Sequence, residues 1–324
     1  MEQVNIGLLG VGNVGGGTFQ ILKNNHDIIS GRIGIEINVK KALTYSLNEE
    51  RKIEIPLDIL TTNADEILGD SDIDIIVEVL GGIEPATSYM IQAMKSGKHV
   101  VTANKAAVAA NYEKLMATAK ENNVMLLTEA CVGGAIPALT SIKTALQGNR
   151  FYEVSGILNG TTNYIMSKMY DDGSAYEDVL KEAQAKGFAE ANPTDDVMGY
   201  DVANKLSILM ALTFGKYVSP KDIPTVGITN ITKDDIELAK ANNTKIKLIG
   251  SAVLSETGEL GYSVKPVKIN CDHPLFNVDN EFNAVYIKGD AFGELMYYGK
   301  GAGALPTGSA IVGDIISIIN NIWR

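Results

Sequence analysis

The sequence predicts an α/β fold, a doubly wound parallel-sheet domain joined to a second domain of α+β type. Three observations carry that prediction. A short apolar strand over residues 4–9 runs into Gly10-Val11-Gly12-Asn13-Val14-Gly15 and then a helical stretch to about Leu22. Strand and helix patterns alternate from there to Thr128, which implies parallel strands with helices on both faces. Beyond Val132 the alternation ends, and helical stretches precede adjacent strand patterns. With 324 residues the chain has length for two domains, each with its own core.

The opening motif is G-x-G-x-x-G between a strand and a helix. Gly10 permits the tight turn, Gly12 lets a pyrophosphate approach the backbone, and Gly15 lets the helix pack closely on the strand. Phosphates would rest on the free N–H groups at the helix start, around Asn13 and Val14. In this setting a Rossmann-type dinucleotide-binding domain outweighs a mere glycine-rich turn. Further strands are predicted over 35–44, 74–80, 99–102 and 124–128, and helices over 85–96 and 106–122. Ligands bind beyond the carboxyl ends of such strands. That singles out Leu80-Gly81-Gly82 and Thr102-Ala103-Asn104-Lys105. Near the end of the chain, the glycine-rich run around Gly303 precedes an apolar helix over 311–319, and its N–H groups suit a phosphate or an amide. Cofactor choice turns on the end of the second strand, where an acid would hold the ribose 2′-OH of NAD. The chain reads Leu43-Thr44-Tyr45-Ser46 there, with no carboxylate before Glu49 and with Lys40, Lys41, Arg51 and Lys52 nearby. The balance tips slightly to NADP over NAD.

In the second domain, helices are predicted over 136–145, 164–170, 175–185 and 232–242, the last capped by Thr232. A strand is predicted over 151–158, and strands over 245–254 and 262–269 pair across Thr257-Gly258. The most informative segment lies between. Asn192-Pro193-Thr194 is turn chemistry with Thr194 as a cap. Asp195 and Asp196 then fall in a first turn, where the helix dipole favours anions. Gly199 or Tyr200 opens a longer helix to about Phe214, anchored by Val202, Leu206, Leu209 and Met210. Asp201 and Lys205 are four apart and share one helical face. Spacing alone favours an exposed ion pair worth about 0.2–0.5 kcal/mol. The functional alternative is a site that binds a small zwitterion and moves a proton.

Composition excludes several classes. A hydrophobic share of 45% and a charged share of 21% are those of a soluble globular protein. The net charge of −11 argues against nucleic acid and anionic membranes as partners. Cys131 and Cys271 make no disulfide framework and fit a reducing compartment, with a pair between them left open. The N-terminus carries no leader pattern. No apolar run approaches the roughly 18 residues that span a bilayer. A cytoplasmic protein without a membrane partner is expected.

Two motifs carry a family resemblance. The run from Glu190 through Pro193, Asp196, Gly199 and Asp201 to Lys205, and Gly156-Ile157-Leu158-Asn159-Gly160-Thr161-Thr162-Asn163-Tyr164-Ile165, resemble homoserine dehydrogenases, and the similarity extends over almost the whole chain. The resemblance implies reversible oxidation of L-homoserine to L-aspartate 4-semialdehyde with NAD(P), a step towards threonine and methionine. It implies Lys105, in a TANKA motif, and Lys205 for proton transfer, without saying which is the base. Two lysines converging on one site would lower each other's pKa. Glu190 and Asp201 are implied for the substrate ammonium, with Asp195 and Asp196 as nearby acids. Gly160 and Thr161 are implied for further substrate contacts, and Gly81 for the nicotinamide edge. Glu129 and the carbonyls of Val132, Gly134 and Ile136 are implied ligands of a monovalent cation such as sodium, alongside the reading of that run as a hinge. A homodimer is implied, as is a dinucleotide domain over 1–130 completed by 300–324, with residues 131–299 as the catalytic and dimerisation domain. Many relatives carry an Arg-Asp pair where this chain has Tyr45-Ser46, and many carry a C-terminal regulatory extension that nothing after Arg324 supplies. Two rivals remain. One is an aspartate-semialdehyde dehydrogenase using Cys131, which would want a base among His26, His99 and His273. The other is a catalytically inactive NADP-binding sensor, which would lack Lys105 or Lys205.

Overall fold

The computed structural model describes residues 2–323. The chain forms two compact units, one made of the chain up to Ala135 and from Ala302 onward, the other of Ile136–Gly301. The sequence placed these divisions at 130 and 300.

The first unit runs β1 (Glu2–Leu9), α1 (Asn13–Asn24), α2 (His26–Ile33), β2 (Ile35–Leu43), β3 (Leu60–Thr61), α3 (Asp65–Leu68), β4 (Ile75–Glu78), α4 (Ala86–Lys95), β5 (His99–Thr102), α5 (Lys105–Ala110), α6 (Tyr112–Glu121) and β6 (Leu126–Leu127). Its sheet has the order β3-β2-β1-β4-β5-β6, with parallel pairings. Strand order reverses beside β1. Leu9 and Glu78 are partners at the ends of β1 and β4, so the loops that leave them part on opposite faces and open a crevice. Alternation along β1 sends Val4, Ile6 and Leu8 into one core with Leu22, Ile29 and Ile33. Gly7 faces the other way, where an added Cβ would lie 2.4 Å from Ile67 Cγ2.

The second unit runs α7 (Ala138–Lys143), β7 (Phe151–Ile157), α8 (Gly160–Asp172), α9 (Tyr176–Ala185), α10 (Thr194–Val197), α11 (Tyr200–Phe214), α12 (Lys233–Ala241), β8 (Thr244–Leu254), β9 (Leu260–Asn270), β10 (Phe282–Gly289) and β11 (Gly293–Lys300). Its sheet has the order β11-β10-β7-β8-β9, with antiparallel pairings. Helices α8, α11 and α12 pack on β8. Gly250 permits the approach of α11, since a Cβ there would meet Val202 Cγ1 at 2.8 Å. The alternate residues of these strands, Glu153, Ser155, Ser251, Val253 and Lys265, line a shallow groove of about 770 Å³ on the sheet's outer face.

The chain then returns as α13 (Ala304–Ile322) to the first unit. Its Ile311, Val312, Ile315, Ile318 and Ile319 join the core over β1 and α1. By length and composition α13 could cross a membrane, against the expectation that no run came close. Here its apolar face is packed on the sheet. The pairing with α1 depends on glycine. A Cβ on Gly17 would fall 2.3 Å from the Ala304 carbonyl oxygen, and one on Gly308 2.8 Å from the Thr18 nitrogen.

Several elements differ from expectation. The helix predicted over 106–122 breaks at Asn111, whose amide donates to Thr87 Oγ1 and to the Ala107 carbonyl. Helix α8 starts at Gly160 rather than Tyr164, because the Asn159 side chain accepts from Thr162 N and caps it. Thr194 does not cap α10. It is a helical residue whose N–H and hydroxyl both go to Asn192 Oδ1. Thr232 does cap α12, in a reciprocal capping box with Asp235.

The close α1–α13 contact yields a stability prediction. Gly17→Ala gains about 1 kcal/mol of helix propensity, but its methyl collides with backbone that no rotamer change can clear, costing about 1–3 kcal/mol. Overpacking should win, and urea unfolding should show a lowered midpoint. A raised midpoint would mean that α13 is free to shift.

Candidate active site

The glycine turn is built for a dinucleotide. Gly10 sits at φ +107°, and a Cβ on Gly15 would lie 2.0 Å from the Gly10 carbonyl oxygen, so strand and helix meet backbone to backbone. Gly12 opens α1 without a side-chain cap and has no atom within 4 Å of a would-be Cβ. Exposed Asn13 and half-buried Val14 follow as the first helical residues. The helix N–H groups therefore point at open space that an anion can fill. On one side of the turn lies a cavity of about 360 Å³ lined by Gly10, Gly12, Leu43, Thr44, Tyr45 and Glu49 among others. Another, of about 240 Å³, is lined by Val14, Leu80, Gly81, Gly82, Asn104 and Lys105 among others. Gly303 caps α13 at φ +125° in the glycine-rich return.

The cations near the second strand are not all available to this site. Lys40 bonds Asp70 and Asp72 at 2.9 Å each, and Lys41 bonds Glu66 at 2.7 Å. Arg51 instead folds back on the cavity's edge, donating to Thr44 Oγ1 at 3.0 Å and to the Ser46 carbonyl. Thr44 in turn donates to Glu49 at 3.4 Å. An arginine and a carboxylate thus both reach the end of β2 from farther along the loop.

Beyond β4 and β5, Glu78 is fully buried. It accepts from Thr102 Oγ1 at 2.7 Å and Leu80 N at 2.8 Å. Burial pushes its carboxyl above the ordinary range, and these hydrogen bonds draw it part of the way back. Thr102, expected at the cofactor, is also fully buried and lies beneath the cavity, with its hydroxyl turned to Glu78. Lys105 is half-buried and is the first residue of α5, which Asn104 caps by accepting from Ala107 N.

In the second unit, α11 starts from Gly199 at φ +85°, a turn that a side chain would strain. The start of α11 brings Asp201 and Lys205 to the ends of β7 and α10. Both are buried, so they do not form the exposed pair that spacing favoured. Lys205 Nζ donates to Asp201 Oδ2 at 2.7 Å and to the Leu158 carbonyl at 2.6 Å. Asn159 Nδ2 donates to Asp201 Oδ2 at 2.9 Å and Asp196 Oδ1 at 2.6 Å, while its Oδ1 caps α8. Asn159 joins the cluster although sequence reasoning did not single it out. The signal was there, an N-cap residue before Gly160-Thr161-Thr162. Gly160 starts α8 so close to the Glu281 carbonyl oxygen that a Cβ would lie 2.7 Å from it. Thr161 donates to the Phe188 carbonyl at 2.6 Å. Asp195 and Glu190 are exposed, with Glu190 on the loop that Gln184 holds by its carbonyl.

Glu129 opens a short buried turn whose N–H donates to Asp314 Oδ2 at 2.9 Å. Val132 and Gly134 follow in the same unit, and Ile136 begins the other. Cys131 is buried, with its Sγ 3.4 Å from the Thr102 carbonyl. The histidines are engaged elsewhere. His26 pairs with Asp27, His99 accepts from Met125 N, and His273 accepts from Leu275 N.

The fold and these clusters place the chain among dinucleotide-dependent oxidoreductases of small polar substrates. Residues 10–129 match the family model of the homoserine dehydrogenase NAD-binding domain, and residues 137–316 that of homoserine dehydrogenase. The chain belongs to the homoserine dehydrogenase family. It is 42% identical to the homoserine dehydrogenase of Bacillus subtilis over 99% of its own length and 74% of that protein's. The crystal structure of a homoserine dehydrogenase from Thiobacillus denitrificans superposes with a TM-score of 0.95 at 42% identity, covering 99% of this chain and 74% of that one. A hyperthermophilic archaeal homoserine dehydrogenase in complex with NADPH superposes with a TM-score of 0.83 at 27% identity, covering 99% and 98%. The protein is an oxidoreductase of amino-acid biosynthesis that uses a nicotinamide cofactor, transferring hydride between L-homoserine and L-aspartate 4-semialdehyde. The Cys131 thiol chemistry and the inactive sensor are not favoured.

The acid cluster makes a pH prediction. Burial is the main force raising the Asp196 carboxyl above its ordinary value of 3.8; Asn159 opposes it and Asp201 adds to it. A carboxyl raised in the folded state holds its proton more tightly there than in the unfolded chain. Stability therefore falls as pH climbs from the ordinary value to the raised one. Asp196→Asn should melt progressively higher than the native protein as pH rises from about 4 to neutrality. A pH-independent difference in thermal scans would refute this.

Proposed function

We propose that Lys205 and Lys105 move the proton of the reacting hydroxyl, and that the cluster around Asn159 binds the amino-acid end of the substrate. The observation that carries this reading is the fixed, buried Lys205–Asp201 pair at 2.7 Å, beside a second carboxylate on the same asparagine. When bound, the nicotinamide takes or returns the hydride. Around it the chain must supply a proton acceptor in oxidation and a donor in reduction. Asp201 orients Lys205, while Asp196 and Glu190 offer negative charge to the substrate ammonium, with Asp195 close by. Gly160 and Thr161 face the substrate from the start of α8. On the dinucleotide, Gly10, Gly12, Asn13, Val14 and Gly15 hold the pyrophosphate, Gly81 and Lys105 border the nicotinamide, and Gly303 adds a backbone contact. Thr102 acts from beneath.

Both NADP and NAD are used in this reading, NADP slightly ahead. Arg51 favours the 2′-phosphate, and Glu49 beside it keeps the preference small. Glu129 with the carbonyls of Val132, Gly134 and Ile136 holds a monovalent cation such as sodium, since an all-oxygen set of this kind suits a hard alkali ion. The enzyme acts in the cytoplasm as a homodimer through the outer face of the second unit's sheet. A net charge of −11 leaves nucleic acid and membranes out of its partners.

The reading is tested by NADPH oxidation at 340 nm with L-aspartate 4-semialdehyde, run beside NADH. Lys205→Ala should lower turnover by about a hundredfold or more with dinucleotide binding intact. Near-native turnover would sink the assignment. Exchanging sodium and potassium for an organic cation should lower turnover of the native enzyme, and equal rates in all three would remove the cation from the scheme.

A further inference from the structure

We propose that Glu78 is a positioning residue for hydride transfer, setting the distance between the two loops that flank the nicotinamide end and fixing the helix start that presents Lys105. This rests on the reading of Lys105 and the 240 Å³ cavity given above. Glu78 is fully buried at the end of β4. An apolar side chain would close that strand without the cost of burying a carboxylate. Its donors are neutral; two come from the loops that line the cavity and one from the end of β5. Leu80 N–H donates at 2.8 Å from one loop. Thr102 Oγ1 donates at 2.7 Å from the end of β5, and Asn104 Nδ2 at 3.4 Å from the loop that follows it.

Asn104 carries the constraint onward. Its Nδ2 also donates to the Gly82 carbonyl at 2.7 Å, which ties the loops a second time. Its Oδ1 accepts from Ala107 N at 3.1 Å and caps α5, whose first residue is Lys105. Thr102 Oγ1, while donating to Glu78, accepts from Asn104 N at 2.9 Å. One carboxylate therefore registers Leu80-Gly81-Gly82 against Ala103-Asn104-Lys105, the two walls of the cavity. It does so by accepting on both oxygens. A glutamine would present an NH₂ to Thr102 Oγ1. That hydroxyl would have to turn its own hydrogen away and accept from both Asn104 N and the new amide, so the bond holding that wall is remade in a different geometry.

The experiment compares Glu78→Gln, Thr102→Val and Lys105→Met in the full chain. Readouts are turnover with semialdehyde, the isotope effect with C4-deuterated NADPH, affinity for 2′-phospho-ADP-ribose (which lacks the nicotinamide) and the melting temperature. In E78Q turnover should fall about ten- to a hundredfold, as for a small misplacement of reacting groups. The isotope effect should grow, and 2′-phospho-ADP-ribose affinity should be unchanged. T102V should move the same way. Native turnover in a folded E78Q, or an equal loss of 2′-phospho-ADP-ribose affinity, overturns the proposal. If E78Q does not fold, T102V is judged by the same criteria, and failure of both to fold assigns Glu78 a purely structural role. Native turnover in K105M sinks the Lys105 reading. Lost turnover in K105M beside native E78Q sinks the Glu78 inference alone.

Discussion

A lysine ammonium that is 7% exposed can persist only where protein groups replace its water, and Lys205 sets that condition for the second unit. Stripping water from such an ion costs several kcal/mol after relaxation. The compensation comes from Asp201 on the same helix and from the Leu158 carbonyl at the end of β7. The ammonium therefore dictates how α11 meets β7, and Asn159, the next residue, bonds the same Asp201. Asn159 caps α8, so the start of that helix is registered to the ion pair as well. Glycine makes the geometry reachable, through the turn at Gly199 and the flat patch at Gly250 where α11 sits on β8.

The first unit buries a lysine as well, Lys98 at 5% exposure on the Asp70 and Ile73 carbonyls, but that ion lies away from the glycine turn. The turn depends on backbone contact, with Gly15 against Gly10 and Gly17 against Ala304. These contacts leave the start of α1 open towards the crevice between β1 and β4, and they bind α13 to the sheet that the dinucleotide needs. The same economy of space explains why α13 is apolar over its length and still belongs to a folded core.

Much of this was legible in the sequence, for physical reasons that can be named. Asp201 and Lys205 lie at helical spacing, and the helix over 200–214 was read with its bounds because Gly199 and Gly215 punctuate it. What spacing could not give was burial, which turns an ordinary pair into a costly one. The start of α8 was missed because Gly160-Thr161-Thr162 is poor in helix formers; the cap on Asn159 overrides propensity there. Strands β10 and β11 escaped because β10 is buried on both faces, while β11 alternates in burial but not in sequence, with Leu295-Met296-Tyr297-Tyr298 apolar or aromatic on both faces. Thr194 had the right residue type for a cap, but Asn192 captured its hydroxyl first. Lys40 and Lys41 lie near the end of the second strand in sequence, but the fold pairs them with Asp70, Asp72 and Glu66.

The two buried acid systems differ in their hydrogen-bond partners. Glu78 is satisfied by neutral donors, and burial drives it towards its neutral form. Its bonds run to the end of β5 and into the loops after β4 and β5. Around Asn159, two carboxylates share one asparagine with a single lysine paired to one of them. Burial likewise disfavours the charged form of Asp196, and the cluster's lysine is bonded to Asp201. A molecule bringing an ammonium of its own would relieve that imbalance. An amino acid does so, while a simple alcohol or aldehyde does not. That is the electrostatic support for the proposal that this cluster takes the amino-acid end of the substrate.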